Sequence, residues 1–362
     1  MVPFYVHPRT MDYTFGESHP LKPERLRRTL TLLERLGGPI VLHPGEGRVE
    51  DALRVHSEEY VEAIRLVDEG DLDAEDRLEL CAMHGLYGDN PPFHGMYQTS
   101  LAYNTATARA AEEVRDGAPL AIAIGGGLHH AHRNRASGFC IFDDPAVACS
   151  VLRDRFDRVA YVDIDVHHGD GVQWIFYHDP TVLTCSIHEE GKTLFPGTGF
   201  TDETGEEFSS LNVPVQAKTS ADVWLDAFTR TIPPALERFE PGAVVLQLGT
   251  DTHYEDPLGH VNSTLDAYIA AVRQIRDLGL PIVAVGGGGY NLTTVPRMWT
   301  AAILELCRIE YDDDLPVDLA AAWGIPRFSD RELPFGPNGG RAHADGVTET
   351  IQQSILPNIP KR

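Results

Sequence analysis

Acidic and imidazole side chains are concentrated in one otherwise apolar stretch of the sequence, YVDIDVHHGDGV at positions 161–172. The apolar residues of this stretch are typical of a buried strand, where an acid or an imidazole is costly unless something compensates it. We predict that a bound metal ion is the compensation. For any one of these residues alone, a capping or turn role at the strand end is the alternative. The group has five members: Asp163, Asp165, His167, His168 and Asp170.

Three of the residues have the types and spacing of metal ligands. Side chains two positions apart on a strand point to the same face, so Asp163, Asp165 and His167 begin on one face. Asp165 and His167 supply two ligands, and Asp251 in LQLGTD, at the end of another predicted strand, offers a third. Two carboxylates and one imidazole leave a coordination position open, which is typical of a catalytic zinc site. Iron(II) accepts the same ligand types.

A second segment supplies groups for proton transfer. GGGLHHAHRNRASGFC (125–140) places His129 and His130 behind three glycines. Asp163 and Asp170 are the acids that the metal does not need. A histidine–aspartate pair fixes the imidazole tautomer and raises its basicity, so we predict one pair for each histidine. A surface loop is the alternative for two adjacent histidines taken alone.

Four glycines precede a tyrosine in GGGGYN (286–291). Glycines after a strand allow the backbone to turn tightly and to approach a ligand closely, which would present Tyr290 at the sheet edge. A phenol there can donate a hydrogen bond to a developing oxyanion. A phosphate-binding loop is the common alternative, but neither GxGxxG nor GxxxxGK[ST] fits the segment and no lysine follows it.

Short apolar runs alternate with helical patterns along the chain, which predicts an α/β domain with a mostly parallel central sheet flanked by helices. Each run ends in polar or glycine-rich residues, and ligand sites of open α/β sheets form at that carboxyl edge. No long linker interrupts the alternation, so we predict a single domain over residues 1–362. The predicted strands lie within 119–130, 158–171, 181–190, 242–257 and 280–291, and the predicted helices within 99–117, 223–239 and 264–279.

The composition restricts the class of function. The 362 residues carry a formal net charge of −24, which argues against binding the phosphate backbone of nucleic acids and favours cationic partners. No apolar run reaches the ~18 residues that span a bilayer, and the N-terminal residues lack the pattern of a secretory signal. Five scattered cysteines without a CxxC pair indicate reduced thiols. We expect a cytoplasmic enzyme without membrane or nucleic-acid partners and of unknown oligomeric state.

The C-terminal part of the chain differs in composition from the rest. From about Ser329 onward the sequence is richer in glycine, proline and polar residues. We expect this tail to wrap the surface or to be mobile.

Taken together, the motifs resemble the zinc-dependent histone deacetylase superfamily, in particular its class I enzymes and the bacterial acetoin-utilisation and deacetylase-like proteins. The resemblance begins at ESHPLKPERLRRT (17–29) and follows the family's motif order to GGGGYNLTTVPRMWT (286–300). It implies an arginase/deacetylase-like fold with the active site at the carboxyl ends of the strands. It also implies that the zinc ligands are Asp165, His167 and Asp251.

The resemblance implies roles for the remaining polar groups of the site. His130, paired with Asp170, matches the general base that later acts as the acid. His129, paired with Asp163, matches an electrostatic partner that helps to position the attacking water. Tyr290 matches the tyrosine that polarises the substrate carbonyl.

The family also has a tunnel for the acyl-lysine side chain. The tunnel has two aromatic walls, an apolar mouth, a rim acid that accepts hydrogen bonds from the substrate's amides, and an arginine beneath the site that is linked to acetate release. The walls match Phe139, with its neighbour Gly138, and Phe195. The mouth matches Leu258, the rim acid matches Asp89, and the arginine matches Arg25.

Members of the family bind potassium beside the zinc, and the resemblance implies a structural K⁺ here. The matching residues are Asp163, Asp165, His167, Ser186 and Ile187. A second, outer potassium site would involve Phe176, Asp179, Val182 and Ser209, where a serine stands in place of the tyrosine that relatives often have.

The implied reaction is zinc-dependent hydrolysis of the N-ε-acetyl-lysine or acyl-lysine amide in proteins or peptides, which releases the acid and free lysine. Three alternatives remain open. The substrate could be a small acetylated polyamine or related acetamide, although Asp89 favours a peptide. Two-manganese ureohydrolase chemistry needs more bridging carboxylates than DIDVHHGDG and a single GTD supply. A catalytically silent acyl-lysine binding module would lack a ligand, a tunnel aromatic or the tyrosine, and none is missing.

Overall fold

The structure is a computed structural model that describes residues 2–330 and 333–361. Eight strands within these residues form one sheet, and all neighbouring strands are parallel. The strands are β1 (Phe4–Tyr5), β2 (Val41–Leu42), β3 (Leu120–Ala123), β4 (Val159–Asp163), β5 (Val182–Glu189), β6 (Ser210–Val215), β7 (Ala243–Gln247) and β8 (Ile282–Val285). Their order across the sheet is β2-β1-β3-β8-β7-β4-β5-β6.

Helices lie between the strands and after the last one. The α-helices of the described residues are α1 (Glu24–Arg35), α2 (Val49–Ala52), α3 (Glu58–Glu69), α4 (Ala74–Met83), α5 (Met96–Arg115), α6 (Asp144–Arg153), α7 (Asp170–Phe176), α8 (Ala221–Phe239), α9 (Leu265–Asp277), α10 (Thr294–Leu306), α11 (Val317–Trp323) and α12 (Arg341–Thr350). Shorter 3₁₀ segments are Pro8–Asp12, Glu206–Phe208 and Leu356–Asn358, and Ile351–Ile355 is π-helical.

The central strands are covered on both faces. Every residue of β3, β4, β7 and β8 is buried, as expected for parallel strands between two layers of helices. Their side chains alternate between two hydrophobic clusters on the two faces of the sheet. In β4, for example, Val162 belongs to one cluster and Tyr161 to the other. The sheet therefore has the predicted parallel arrangement, and the carboxyl ends of its strands meet at one edge.

Strand β6 and the two short strands β1 and β2 were not predicted. The sequence of β6, SLNVPV, mixes apolar residues with asparagine and proline and so does not resemble a buried strand. In the structure β6 is an edge strand, where a proline is tolerated because one side of the strand needs no hydrogen-bond donor. The strands β1 and β2 have two residues each, which is too short for a sequence pattern.

The C-terminal segment packs against the body of the domain. Residues 341–358 are helical, and Ile351, Ile355 and Ile359 are buried in the same cluster as helix α8. Residues 341–359 of the tail therefore pack against the domain, and the mobility of the tail stays a prediction. None of the described helices is both long and apolar enough to cross a membrane.

Candidate active site

The three predicted metal ligands lie together at the carboxyl edge of the sheet. Asp165 and His167 follow strand β4, and Asp251 follows the neighbouring strand β7. The Nδ1 atom of His167 lies 3.1 Å from Asp165 Oδ1 and 3.0 Å from Asp251 Oδ2. All three side chains are buried, and each offers a donor atom within 4.8 Å of the other two.

The donor set fits a divalent cation. Two buried carboxylates share one imidazole nitrogen, and a single N–H cannot satisfy both. Burial and the adjacent charge of Asp165 raise the pKa of Asp251 to about 7, as expected for like charges held close together. A cation of charge +2 removes this repulsion, and two carboxylates with an imidazole suit zinc or iron(II).

Glycines allow the backbone to reach these carboxylates. A Cβ atom at Gly249 would lie 2.1 Å from Asp165 Oδ2, and one at Gly288 would lie 2.0 Å from Asp251 Oδ2. Gly288 instead donates its N–H to Asp165 Oδ2 at 2.7 Å. The four-glycine run is therefore explained by close approach of the main chain to the predicted metal ligands.

A buried glutamine, which the sequence reasoning missed, orients one ligand. Gln247 ends strand β7; its Nε2 donates to Asp165 Oδ2 at 2.8 Å, and its Oε1 accepts from the Gly249 N–H at 2.7 Å. The available signal was a polar residue at the end of the apolar run AVVLQ.

Both predicted histidine–aspartate pairs form. His129 Nδ1 lies 2.7 Å from Asp163 Oδ2, and His130 Nδ1 lies 2.6 Å from Asp170 Oδ1. The two Nε2 atoms lie 3.0 Å apart. The phenol of Tyr161, also missed by the sequence reasoning, donates to Asp163 Oδ2 at 2.6 Å.

The two adjacent histidines have opposite pKa shifts. Burial and the neighbouring charge of His129 lower the pKa of His130 to about 4. Burial opposes a charge on His129 as well, but the carboxylates of Asp163 and Asp165 outweigh it and raise that pKa to about 9. At neutral pH this favours a charged His129 beside a neutral His130.

The loop that carries the histidines is fixed from below by Asp144 at the start of helix α6. Its carboxylate accepts hydrogen bonds from the N–H groups of Gly127 at 2.8 Å and Leu128 at 2.9 Å, and from the Thr107 hydroxyl at 2.7 Å. This carboxylate, also missed by the sequence reasoning, holds the residues immediately before His129.

Tyr290 is positioned through its own main chain. Asp256 accepts the Tyr290 N–H at 2.7 Å. Arg25 donates from Nη1 to the carbonyls of Gly287 at 2.8 Å and Gly289 at 2.9 Å. Burial raises the pKa of Tyr290 well above its usual value, so the phenol keeps its proton and remains a donor. Arg25, implied to lie beneath the site, thus ties the glycine-rich loop to helix α1.

Two aromatic rings flank the catalytic groups as the resemblance implies. The centroid of Phe139 lies 5.8 Å from that of Tyr290, and the centroid of Phe195 lies 5.0 Å from that of His130. Gly138 lies against the rings of His130 and Phe195: a Cβ atom there would be 2.4 Å from His130 Cδ2 and 2.8 Å from Phe195 Cε1. The glycine leaves the space between these rings open.

The resemblance assigns two further residues, Leu258 and Asp89, to substrate binding. The Leu258 N–H donates to Asp256 Oδ1 at 3.0 Å, so one carboxylate orders both the Leu258 and the Tyr290 main chain. Asp89 is exposed, and its neighbour Asn90 accepts the Phe139 N–H at 3.2 Å.

The predicted potassium ligands come from neighbouring strands. Asp163 of β4 is in register with Ser186 of β5, and Ile187 follows it within the buried part of β5. At the outer set, the Asp179 N–H donates to the Phe176 carbonyl at 2.8 Å, and the Val182 N–H donates to the Asp179 carbonyl at 3.1 Å. The buried Ser209 hydroxyl has no hydrogen-bond partner among the described residues. Potassium at either position stays a prediction.

Known proteins resemble this chain over most of its length. The histone deacetylase domain family matches residues 19–306. The acetoin utilization protein AcuC of Bacillus subtilis is 38% identical to this chain over 376 residues, covering 96% of each protein. The histone deacetylase clr6 of Schizosaccharomyces pombe is 36% identical over 360 residues, covering 95% of this chain and 86% of its own.

Solved structures show the same architecture. An HDAC homologue from Aquifex aeolicus and an HDAC homologue complexed with SAHA each superpose with a TM-score of 0.87 at 27% identity. Each comparison covers 96% of this chain and 99% of the other. The predicted single-domain α/β fold and the resemblance inferred from the motifs are both confirmed.

Proposed function

This chain belongs to the histone deacetylase family of hydrolases, and on that premise we propose that it hydrolyses the acetyl-lysine amide of proteins or peptides with the aid of Zn²⁺. The observation that carries the proposal is the convergence of three buried metal-ligand candidates, two histidine–aspartate pairs and a tyrosine at one edge of the sheet. The products would be acetate and free lysine.

Asp165, His167 and Asp251 are the residues that would hold the ion. When bound, a divalent cation supplies Lewis acidity to a carbonyl oxygen and makes water a better nucleophile. Gln247 and the Gly288 N–H keep Asp165 Oδ2 oriented, as outer partners of metal ligands commonly do.

His130 is the proposed general base and acid. Its Nδ1–H donates to Asp170, which leaves Nε2 as the basic atom. Nε2 accepts a proton from the attacking water and later delivers it to the nitrogen of the leaving amine. His129, held by Asp163, contributes positive charge next to His130 and so favours the negative charge that develops on the substrate.

Tyr290 would donate its phenolic hydrogen to the developing oxyanion. Its raised pKa keeps the donor protonated, and the main-chain bonds to Asp256 and Arg25 hold the loop that carries it. No proton needs to leave Tyr290 during the reaction.

The substrate would enter between Phe139 and Phe195. Two aromatic rings next to His130 and Tyr290 suit the apolar stem of a lysine side chain, whose charge the acyl group has removed. Asp89 at the exposed rim supports a substrate that includes a peptide main chain. The net charge of −24 supports a substrate with positive charges elsewhere in the molecule.

Two further assignments belong to this proposal. A structural potassium ion would be held by Ser186 and Ile187 together with Asp163, Asp165 and His167. The five cysteines are unpaired, which supports a reducing compartment such as the cytoplasm.

The test is an activity panel on acetyl-, propionyl- and longer acyl-lysine peptides and on acetylspermidine, with and without a chelator. We expect the fastest turnover on an acyl-lysine peptide, loss of turnover with chelator and recovery with Zn²⁺ or Fe²⁺. Turnover of acetylspermidine alone would assign the substrate to polyamines. A metal content of two per chain would favour binuclear chemistry, because a second group, His129, Asp163 and Asp165, also has ligand atoms within 4.8 Å.

A further inference from the structure

The two aromatic walls of the site are held in different ways. The main chain of Phe139 is fixed on both sides, because its N–H donates to Asn90 Oδ1 at 3.2 Å and its carbonyl accepts from the Tyr13 hydroxyl at 2.8 Å. The His19 ring packs edge-on against it at 4.4 Å. Phe195, in contrast, is 42% exposed and lies on a loop that follows strand β5. Its position therefore depends on how that loop is anchored.

Glu189, the last residue of β5, anchors this loop. The side chain is buried, and its Oε1 accepts a hydrogen bond from the Thr193 hydroxyl at 2.9 Å. Thr193 stands two positions before Phe195. The Glu189 main chain is itself tied to the metal-site segment, since its N–H donates to the Val166 carbonyl at 2.9 Å.

The same carboxylate anchors a second loop of the site. Glu189 Oε2 accepts the His260 N–H at 2.9 Å, and His260 Nδ1 lies 3.1 Å from Oε1. His260 stands two positions after Leu258. The neighbouring Gly259 is equally constrained, because a Cβ atom there would lie 2.4 Å from the Asp251 carbonyl oxygen.

A buried carboxylate needs several donors to remain stable without water. The two loops supply three: the Thr193 hydroxyl, the His260 N–H and the His260 imidazole. If one loop moves away, the buried carboxylate loses one or more of these hydrogen bonds and becomes less stable in its place. The positions of the two loops are therefore coupled through Glu189. Neither Glu189 nor Thr193 is among the predicted metal or catalytic groups.

We propose that Glu189 is a positioning residue that sets the width of the substrate entrance by holding the loops of Phe195 and Leu258 at a fixed separation. The inference rests on the proposed function, in which the acyl-lysine stem passes Phe195, and on the resemblance, which places Leu258 at the mouth of the tunnel. Such contacts are the same in the ground state and in the transition state, so loosening them raises KM and leaves kcat nearly unchanged.

The test compares Thr193→Val, which cuts one connection while keeping the side-chain shape, with Glu189→Gln, which weakens both. The control is Thr31→Val, which removes an exposed hydroxyl that bonds within helix α1. With an acetyl-lysine peptide, we expect KM to rise roughly three- to tenfold in the first two variants, the effect of one lost hydrogen bond. We expect kcat to change by less than about twofold.

A second readout does not depend on activity. Hydrogen–deuterium exchange of residues 190–197 and 257–260 should become faster together in Glu189→Gln and remain at the wild-type rate in the control. Unchanged exchange would overturn the coupling of the loops. Faster exchange with an unchanged KM, or a fall in kcat alone, would overturn the role in substrate entrance.

The two readouts also separate this inference from the proposed function. A wild-type protein inactive on every acyl-lysine peptide would refute that function, and with it the substrate-related part of the inference. The exchange rates would still decide whether Glu189 holds the two loops together.

Discussion

The Nε2 atoms of His129 and His130 lie 3.0 Å apart, and each ring is held at Nδ1 by a different aspartate. Only one proton fits between two imidazoles at this distance. With the pKa of His129 raised to about 9 and that of His130 lowered to about 4, the charge is placed on His129. The two residues are adjacent in sequence but would contribute differently to catalysis.

The first prediction is that His130→Gln is more damaging than His129→Gln. Loss of the proposed base should lower kcat about 10²–10⁴-fold, whereas loss of His129 removes a favourable charge but leaves the base and should cost less. Steady-state kinetics on an acetyl-lysine peptide measures both. Zinc affinity, followed by chelator competition, should remain near the wild-type value in each variant, and the reverse order of damage would exchange the two roles.

Replacing Tyr290 by phenylalanine removes one proposed oxyanion donor and little volume. We expect kcat to fall about 10²–10³-fold with KM changed much less, because the lost hydrogen bond strengthens as charge develops on the carbonyl oxygen. Single-turnover rates on an acetyl-lysine peptide provide the measurement. Tyr5→Phe, which removes the hydrogen bond from a phenol on strand β1 to Glu113, is the matched control. A wild-type rate for Tyr290→Phe would remove the tyrosine from the mechanism.

The grouping of Asp165, His167 and Asp251, the predicted metal ligands, was predictable from the sequence because the strands of a parallel sheet end at one edge. Strand β4 ends at Asp163, so Asp165 and His167 follow it at the carboxyl edge of the sheet, and the parallel neighbour β7 brings Asp251 to the same edge. The two acids left over beside the predicted metal ligands gave one carboxylate for each histidine, and the resemblance implied which aspartate pairs with which histidine. Local patterns of this kind carry over to three dimensions because the sheet is regular.

The supporting residues were not predictable in the same way. Asp144, Asp256 and Glu189 act through main-chain N–H groups of distant loops, and an N–H group carries no sequence signal. Strand β6 was missed because its polar residues and proline are acceptable only at a sheet edge, and strand order is not visible in the sequence. Identifying the residues that orient others therefore requires the structure.

Gln247 offers a test of such support that does not need turnover. Gln247→Leu keeps the buried volume but removes the hydrogen bond to Asp165 Oδ2, so zinc affinity should fall about 10–100-fold. Competition with a chromophoric chelator measures the affinity directly. Gln274→Leu, which alters a surface hydrogen bond to Thr229, is the matched control. Equal affinities for all three proteins would show that Gln247 does not orient the ligand.

The last prediction concerns acid stability and His56. This buried imidazole bonds the His132 carbonyl through Nδ1 at 3.0 Å, and its Nε2 accepts the Asp143 N–H at 2.8 Å. The ring is therefore satisfied in its neutral form, and burial lowers its pKa from 6.5 to about 4. Protonation would set a second N–H against the N–H of Asp143.

The unfolded chain binds the proton near pH 6.5 and the folded chain near pH 4, so the stabilisation is complete above pH 6.5 and is lost as the pH falls through this window. A pKa difference of about 2.5, at ~1.36 kcal/mol per pKa unit, corresponds to about 3 kcal/mol. Urea unfolding of the wild type and His56→Gln, both in chelator, should show the wild type losing this much more stability between pH 7 and pH 4. Parallel curves for the two proteins would mean that His56 titrates alike in the folded and unfolded chains.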